Sequence, residues 1–158
     1  MVKTPLDVSR DDVLKELMAR FVAEVEADEG SILLADDEGE SMRFALSVGP
    51  SADRLLGQQV RVGQGLVGLT MAYQIGSSVA DVKSAPAHDP TIDQAVGSHT
   101  QAMLAVPISS ADREWGVLTA INPTHGEAFT QGELEVANRT AAAVAHHLDA
   151  MSETDMPS

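Results

Sequence analysis

The sequence contains no cysteine, few aromatic residues and no long apolar run, and each of these scarcities excludes a class of protein. Without cysteine there is no disulfide framework, no thiolate nucleophile and no thiolate metal site. Aromatic residues make up 3% of the chain, so aliphatic side chains must fill the interior. No apolar run reaches the length of a membrane span, and the N-terminus lacks the apolar stretch of a secretory signal. These features predict a cytoplasmic protein.

Positive charge is scarce as well, with 10 basic residues against 24 acidic ones and a net charge of −14. Such a field repels phosphate backbones and anionic lipid headgroups, so we expect neither nucleic acid nor a membrane as a partner. Apolar residues make up 44% of the 158 residues, enough for the core of one domain. We assign residues 10–151 to that domain, 1–9 to an N-terminal extension and 152–158 to a disordered tail.

The first helix is predicted to begin at Ser9, a capping residue, with Asp12 as the third residue of a capping box. Apolar residues then recur on one helical face, at Leu14, Met18, Phe21 and Val25. The helix is predicted to run to about residue 27, because residues 28–30 bring a glycine.

The last helix is predicted from a second capping box, formed by Thr130 and Glu133, with Phe129 and Leu134 as its hydrophobic staple. Its apolar stripe consists of Leu134, Ala137, Ala141, Val144, Leu148 and Met151. Heptad-like spacing of this kind suits either a face that packs on the core or a seam between two copies of the chain. The stripe is short and rich in alanine, which favours the core face.

Between these helices the pattern alternates between strands and short helices. The predicted strands are residues 31–35, 42–48, 60–62, 77–82, 102–108 and 115–122. Short helical segments are predicted at 51–57 and 66–73, and the polar segment 83–98 is the longest irregular stretch. Because the strands come in hairpin-like pairs, we expect an α+β fold with a largely antiparallel sheet.

Gly63, Gly65 and Gly68 match the G-x-G-x-x-G fingerprint of dinucleotide-binding proteins. A dinucleotide fold requires a continuously apolar parallel strand within a repeating βαβ pattern. Here the strand before the glycines is short, and no repeating βαβ pattern surrounds it. The glycines are therefore interpreted as a tight turn that lets a helix pack closely on the sheet.

The histidines and carboxylates give no catalytic or metal-binding pattern. His88 and His99 belong to the same polar region as Asp81, Asp89 and Asp93, but they lack the tight spacing of metal or haem ligands. His146 and His147 are adjacent in the last helix, and we expect both to be solvated. No nucleophile-and-base motif is present, so the chain is predicted not to be an enzyme and to hold no metal.

Taken together, five segments in order resemble the GAF domain, a sensory fold of bacterial signalling proteins and cyclic-nucleotide phosphodiesterases. The resemblance covers about residues 10–150. The segments are EGSILL at 29–34, GQGLVG at 63–68, VADV at 79–82, MLAVPI at 103–108, and WGVL at 115–118 leading to FT at 129–130.

The resemblance implies a PAS-related fold: a central antiparallel sheet of five or six strands with the first and last helices on one face. A ligand pocket is then expected on the other face, under short helices and the long loop. The candidate ligand-binding residues are Leu66, Tyr73, Asp81, His99, Gln101 and Met103. Terminal helices of such domains commonly form dimers, which makes Leu14, Met18, Leu134, Ala141 and Leu148 candidate interface residues. Asp81 is interpreted either as an acceptor for the ligand or as the cap of the following turn.

Departures from the family narrow the possible ligands. Covalent bilin binding and free methionine sulfoxide reductase activity both need cysteine, which this chain lacks. The Asn-Lys of cyclic-nucleotide-binding members is replaced here by Asn122 and Pro123, which disfavours a cyclic nucleotide as the ligand. Haem held by His99 is disfavoured as well. The resemblance thus implies a non-catalytic sensory domain for an unknown small molecule, whose terminal helices transmit the signal.

As partners we expect a second copy of the chain and a signalling protein such as a histidine kinase or a response regulator. The N-terminal methionine and polar tail favour a stand-alone protein. The alternative is a dimerisation or partner-docking module with no bound ligand.

Overall fold

The computed structural model describes residues 7–79, 102–124 and 128–155. In this part of the chain the helices are α1 (Asp12–Glu24), α2 (Ala52–Leu55), α3 (Gly65–Tyr73) and α4 (Gln131–Asp155). The strands are β1 (Ala27–Ala35), β2 (Ser41–Val48), β3 (Gln59–Arg61), β4 (Ser77–Val79), β5 (Met103–Ser109) and β6 (Glu114–Pro123). The predictions for Asp81, His99 and Gln101, and for the segment 83–98, lie outside the described residues.

The six strands form one antiparallel sheet in the order β3-β2-β1-β6-β5-β4. Local chemistry explains the hairpin between β1 and β2. The Asp36 carboxylate accepts a hydrogen bond from the Glu40 N–H at 3.0 Å, and Gly39 takes the positive φ of 73° that closes the turn. The predicted α+β fold with an antiparallel sheet of five or six strands is thereby confirmed.

The terminal helices α1 and α4 pack together on one face of the sheet, as expected. Their buried side chains include Leu14, Met18, Phe21, Ala137, Ala141, Val144 and Leu148. They cover the strand residues Ile32, Leu34, Leu104, Val106, Leu118 and Ala120. Each fully buried Leu, Ile, Val or Phe contributes about 1.5–3 kcal/mol to stability, so this layer is a main source of the fold's stability. The apolar stripe of α4 is the core face, as its alanine-rich composition favoured.

The opposite face of the sheet carries a second, smaller apolar cluster. Leu55 of α2, and Val67 and Met71 of α3, pack there on strand residues. The strand residues of this cluster are Leu33, Met42, Phe44, Val60, Met103, Ala105, Val117 and Ile121. Alternate residues of one strand thus serve two cores, and the short helices cover the face that the terminal helices leave free.

Two predicted boundaries near the N-terminus are wrong. The N-cap of α1 is Asp11 rather than Ser9, because the Asp11 carboxylate accepts the Leu14 N–H at 2.8 Å. The helix ends at Glu24, and Glu26 makes the turn with a φ of 53°. Strand β1 therefore begins at Ala27, and Gly30 belongs to the strand instead of ending the helix. A Cβ at Gly30 would lie 2.7 Å from Cγ2 of Val22, so the glycine lets α1 pack closely on β1.

The capping box of α4 is confirmed. The Thr130 N–H donates to Oε1 of Glu133 at 2.8 Å, and the Glu133 N–H donates to Oγ1 of Thr130 at 3.1 Å. The helix continues to Asp155, beyond residue 151, at which the domain was predicted to end. The prediction that His147 is solvated is wrong, since its ring contacts the carboxylate of Asp11.

Candidate functional site

The glycine-rich segment before α3 is a packing device. Gly63 and Gly65 have positive φ angles of 89° and 69°, and the Gly63 N–H donates to the Gly68 carbonyl at 2.9 Å. A Cβ at Gly68 would collide with the carbonyl oxygen of Arg61, so the glycine allows α3 to approach the end of β3. This geometry agrees with the tight turn and close packing predicted for the G-x-G-x-x-G match.

A cavity lies between the sheet and the short helices α2 and α3. It has about 290 Å³ of empty space, including the part that opens toward solvent, and its enclosed part has room for about one water molecule. Its walls are formed by Glu29, Gly30, Ser31, Phe44, Leu55, Val67, Met103, Thr119 and Ile121. An apolar cavity that contains a few polar groups is typical of a binding site for a small molecule.

The period of two along β1 places its polar side chains in this cavity. Gly30 faces α1, so the side chains of Glu29 and Ser31 on either side of it face the cavity. In the β1–β6 register Glu29 pairs with Ile121 and Ser31 pairs with Thr119. One strand pair therefore brings a carboxyl group and two hydroxyls to one wall.

Glu29 is the acidic residue of the cavity, and its side chain is only half satisfied. The residue is 7% exposed, and its Oε1 accepts the Ser51 N–H at 2.9 Å. The other oxygen, Oε2, is buried and has no hydrogen-bond partner among the described residues. Gly49 permits this arrangement, because a Cβ at that position would lie 2.7 Å from the Asp28 carbonyl oxygen. Glu29 thus lines the cavity and carries one buried oxygen without a partner among the described residues.

The two hydroxyl groups of the described cavity wall belong to Ser31 and Thr119. Oγ of Ser31 and Oγ of Ser47 lie 2.8 Å apart across β1 and β2, in hydrogen-bond contact. Thr119 is buried on β6, between the residues of β1 and β5 that pair with it, Ser31 and Ala105. These groups add hydrogen-bonding capacity without adding charge.

Of the predicted ligand-binding residues that the structure describes, Met103 lines the cavity, whereas Leu66 and Tyr73 do not. Met103 is buried and forms part of the cavity wall. Leu66 is partly buried and packs against the cluster around the cavity without lining it. Tyr73, at the end of α3, is 70% exposed and does not line the cavity either. Asp81, His99 and Gln101 stay predictions.

Sequence reasoning missed Glu29, Ser31 and Thr119. Glu29 was assigned to the turn after the first helix, although a period of two extended back from Leu33 would have placed Glu29, Ser31 and Leu33 on one face. Nothing in the local pattern distinguishes Thr119 from other strand threonines, because only the pairing with β1 brings it to the cavity.

All five predicted dimer-interface residues already pack against their own chain. Leu14, Met18, Ala141 and Leu148 are buried in the core between the terminal helices and the sheet. Leu134 is partly buried against the same core. A second copy would therefore contact other side chains of these helices, such as Val13, which is 48% exposed.

Among the residues that the structure describes, no three histidine, aspartate or glutamate side chains lie together in a way that could hold a metal ion. None of the described helices is long and apolar enough to cross a membrane.

The chain matches the family model described as GAF domain over residues 9–148. No curated protein sequence is significantly similar to it. Its fold is similar to that of residues 122 to 287 of a methyl-accepting chemotaxis protein, with a TM-score of 0.80, 16% identity and 93% coverage of each chain. The second GAF domain of DevS from Mycobacterium smegmatis gives a TM-score of 0.72 at 17% identity, covering 90% of this chain and 94% of that one.

A third similar structure is a free methionine-R-sulfoxide reductase from Neisseria meningitidis, described as in complex with its substrate. Its TM-score is 0.68 at 19% identity, and 98% of each chain is covered. At such identities the likeness to solved structures establishes the fold alone.

Proposed function

This chain belongs to the GAF domain family, and from that premise we propose that it is a non-catalytic sensory domain that binds a small molecule between the sheet and α3. GAF domains of signalling proteins are generally regulatory sensory domains. The observation that carries the proposal is the cavity with the buried, half-satisfied carboxyl group of Glu29 among apolar side chains. The chemotaxis and DevS neighbours support a signalling role, and the substrate complex supports a small-molecule pocket on this fold.

A signal would reach the terminal helices through the strands that the two cores share. In β1, Glu29 and Ser31 face the cavity, whereas Ile32 packs beneath α1 and α4. A ligand that binds one arrangement of β1 and β6 more tightly than another therefore shifts the equilibrium between them, and with it the packing of both helices. The size of this shift is set by the difference between its affinities for the two arrangements. The partners in this proposal are a second copy of the chain and a cytoplasmic signalling protein such as a histidine kinase or a response regulator.

The non-catalytic part of the proposal rests on the sequence. The reductases on this fold resemble this chain in architecture, but they use cysteines, and this chain has none. In the described part of the chain, the Glu29 carboxyl group accepts a hydrogen bond from the backbone N–H of Ser51, and none from a hydroxyl that could act as a nucleophile. Binding with no chemical step is the function that these groups support.

Native mass spectrometry of the protein purified from its own host tests the proposal. We expect an added mass on the folded wild-type chain. Val67→Phe places a larger side chain in the cavity wall and should remove that mass, whereas Val13→Phe makes the same change on the exposed side of α1 and should retain it. A bare wild-type chain would contradict the proposal and favour a dimerisation or docking module.

A further inference from the structure

The buried oxygen Oε2 of Glu29 is the most conspicuous unsatisfied group in the described part of the chain. The residue is more than nine-tenths buried and lines the cavity, and Oε2 is buried without a hydrogen-bond partner among the described residues. Leaving a buried acceptor unpaired costs about 1–3 kcal/mol, and more for a charged group. A bound molecule that donates a hydrogen bond to Oε2 would recover that free energy.

In the described part of the chain, no ion pair is recorded for Glu29. The described lining of the cavity contains no lysine, arginine or histidine. The guanidinium of Arg54 donates to Oγ of Ser51 at 3.2 Å, whereas Glu29 accepts the N–H of Ser51. The cavity is therefore acidic in chemistry as well as apolar in lining.

We propose that the cavity recognises the protonated amine of a small molecule, with the ammonium group donating to Oε2 of Glu29. This inference rests on the proposed function and specifies the ligand class of the same site. Oε2 has lone pairs and no donor facing it among the described residues, and an ammonium group supplies such a donor together with a positive charge. The hydroxyls of Ser31 and Thr119 lie on the same wall, where they accept further ammonium hydrogens.

Size and charge narrow the class further. The enclosed room of the cavity is about that of one water molecule, which matches the size of a single ammonium group. The apolar wall from Leu55, Val67 and Met103 suits a short hydrocarbon body. A net charge of −14 raises the local concentration of cations and repels anions, which strengthens the same preference.

Methylammonium chloride is the probe that tests the inference, titrated into the ¹⁵N-labelled full chain and followed by the amide resonances of Ser51 and Ser31. We expect saturable shifts at both residues. Tetramethylammonium chloride at the same concentrations carries the charge without an N–H donor and should leave them unmoved. This comparison is made on the wild-type protein, so it does not depend on how any variant folds.

Two variants with equal net charge localise the effect. Glu29→Gln keeps an oxygen for the Ser51 N–H but offers an amide NH₂ in place of the acceptor Oε2, and we expect at least a tenfold weaker affinity for methylammonium. Glu24→Gln removes a charge from the exposed side of α1 and should keep the wild-type affinity. Equal affinity in wild type and Glu29→Gln, equal shifts with tetramethylammonium, or no methylammonium binding at all would each overturn the inference.

These results are separable from the test of the proposed function. An added mass in the native spectrum that persists in Glu29→Gln would leave the sensory function standing and overturn the amine assignment. A bare chain in that spectrum, together with Glu29-dependent binding of methylammonium, would contradict the sensory function and support the amine site.

Discussion

Nε2 of His147 lies 3.0 Å from Oδ1 and 3.1 Å from Oδ2 of Asp11, joining the C-terminal helix to the N-cap residue of the N-terminal one. The same carboxylate accepts the Leu14 N–H at 2.8 Å, so one side chain both caps α1 and contacts α4. Both side chains are largely shielded from solvent. This contact fixes the relative position of the two helices proposed to transmit the signal.

Removing the Asp11 side chain should destabilise the protein. Asp11→Ala loses the cap and the contact with His147, and we expect a loss of about 1–2 kcal/mol in the free energy of unfolding, measured by urea denaturation. Asp11→Asn still provides a capping oxygen and should lose less. Asp12→Ala, at the exposed neighbouring position, is the matched control and should stay within about 0.5 kcal/mol of wild type. Equal losses for Asp11→Ala and Asp12→Ala would show that the contact contributes nothing.

The contribution of Asp11 to the free energy of unfolding should depend on pH in the acid range. Burial raises the pKa of Asp11, but the hydrogen bonds from the Leu14 N–H and from His147 outweigh it and hold the pKa below its ordinary value. The ionised form is thus favoured in the folded state, and its contribution is complete above the unfolded pKa of about 4. It is lost as the pH falls through the lower, folded pKa. The stability difference between wild type and Asp11→Asn, measured by urea denaturation, should shrink below pH 4; a difference that grows there would contradict this assignment.

The Trp115 indole contacts the C-terminal helix close to His147, at Asp149. Its Nε1 donates to Oδ1 of Asp149 at 2.8 Å, and Oγ of Ser110 donates to the same oxygen at 3.1 Å. Asp149→Ala leaves the buried indole N–H without this acceptor, and we expect a loss of about 1–3 kcal/mol. Asp149→Asn retains an amide oxygen and should lose less.

Trp115 is the one tryptophan of the chain, so its fluorescence follows the unfolding of these variants directly. Asp149→Ala should also shift the emission of the folded protein, because the hydrogen bond to the indole is gone. Identical emission and stability in wild type, Asp149→Asn and Asp149→Ala would rule out a stabilising role for this bond.

Gly116 should tolerate no side chain. A Cβ there would collide with the carbonyl oxygen of Leu33 and lie 2.8 Å from its carbonyl carbon, where β6 pairs with β1. Gly116→Ala should therefore cost about 3 kcal/mol or prevent folding, as judged by circular dichroism and thermal melting. Gly132→Ala, in the first turn of α4, meets only Oγ1 of Thr130 at 3.8 Å and should be neutral or stabilising. A folded Gly116→Ala protein of wild-type stability would show that β1 and β6 are less closely paired.

Local patterns predicted most of the fold. The alternation in residues 42–48 predicted β2, which spans Ser41–Val48, and the pair Thr130 and Glu133 predicted the start of α4. These signals are reliable because the interactions behind them join residues close in sequence. The first helix shows the limit of such signals, since Ser9 and Asp11 are both good caps and only Asp11 also contacts His147.

The sequence by itself determined a single antiparallel α+β domain, its turn glycines and the inward face of its last helix, because periodicity and capping are local properties. Only the tertiary structure decided that Glu29 lies in a strand with one oxygen unpaired in a cavity, since that depends on where α1 ends and on the pairing of β1 with β6. It likewise decided the contact between Asp11 and His147, which are 136 residues apart in sequence. Such contacts depend on packing between distant segments, which no local pattern records.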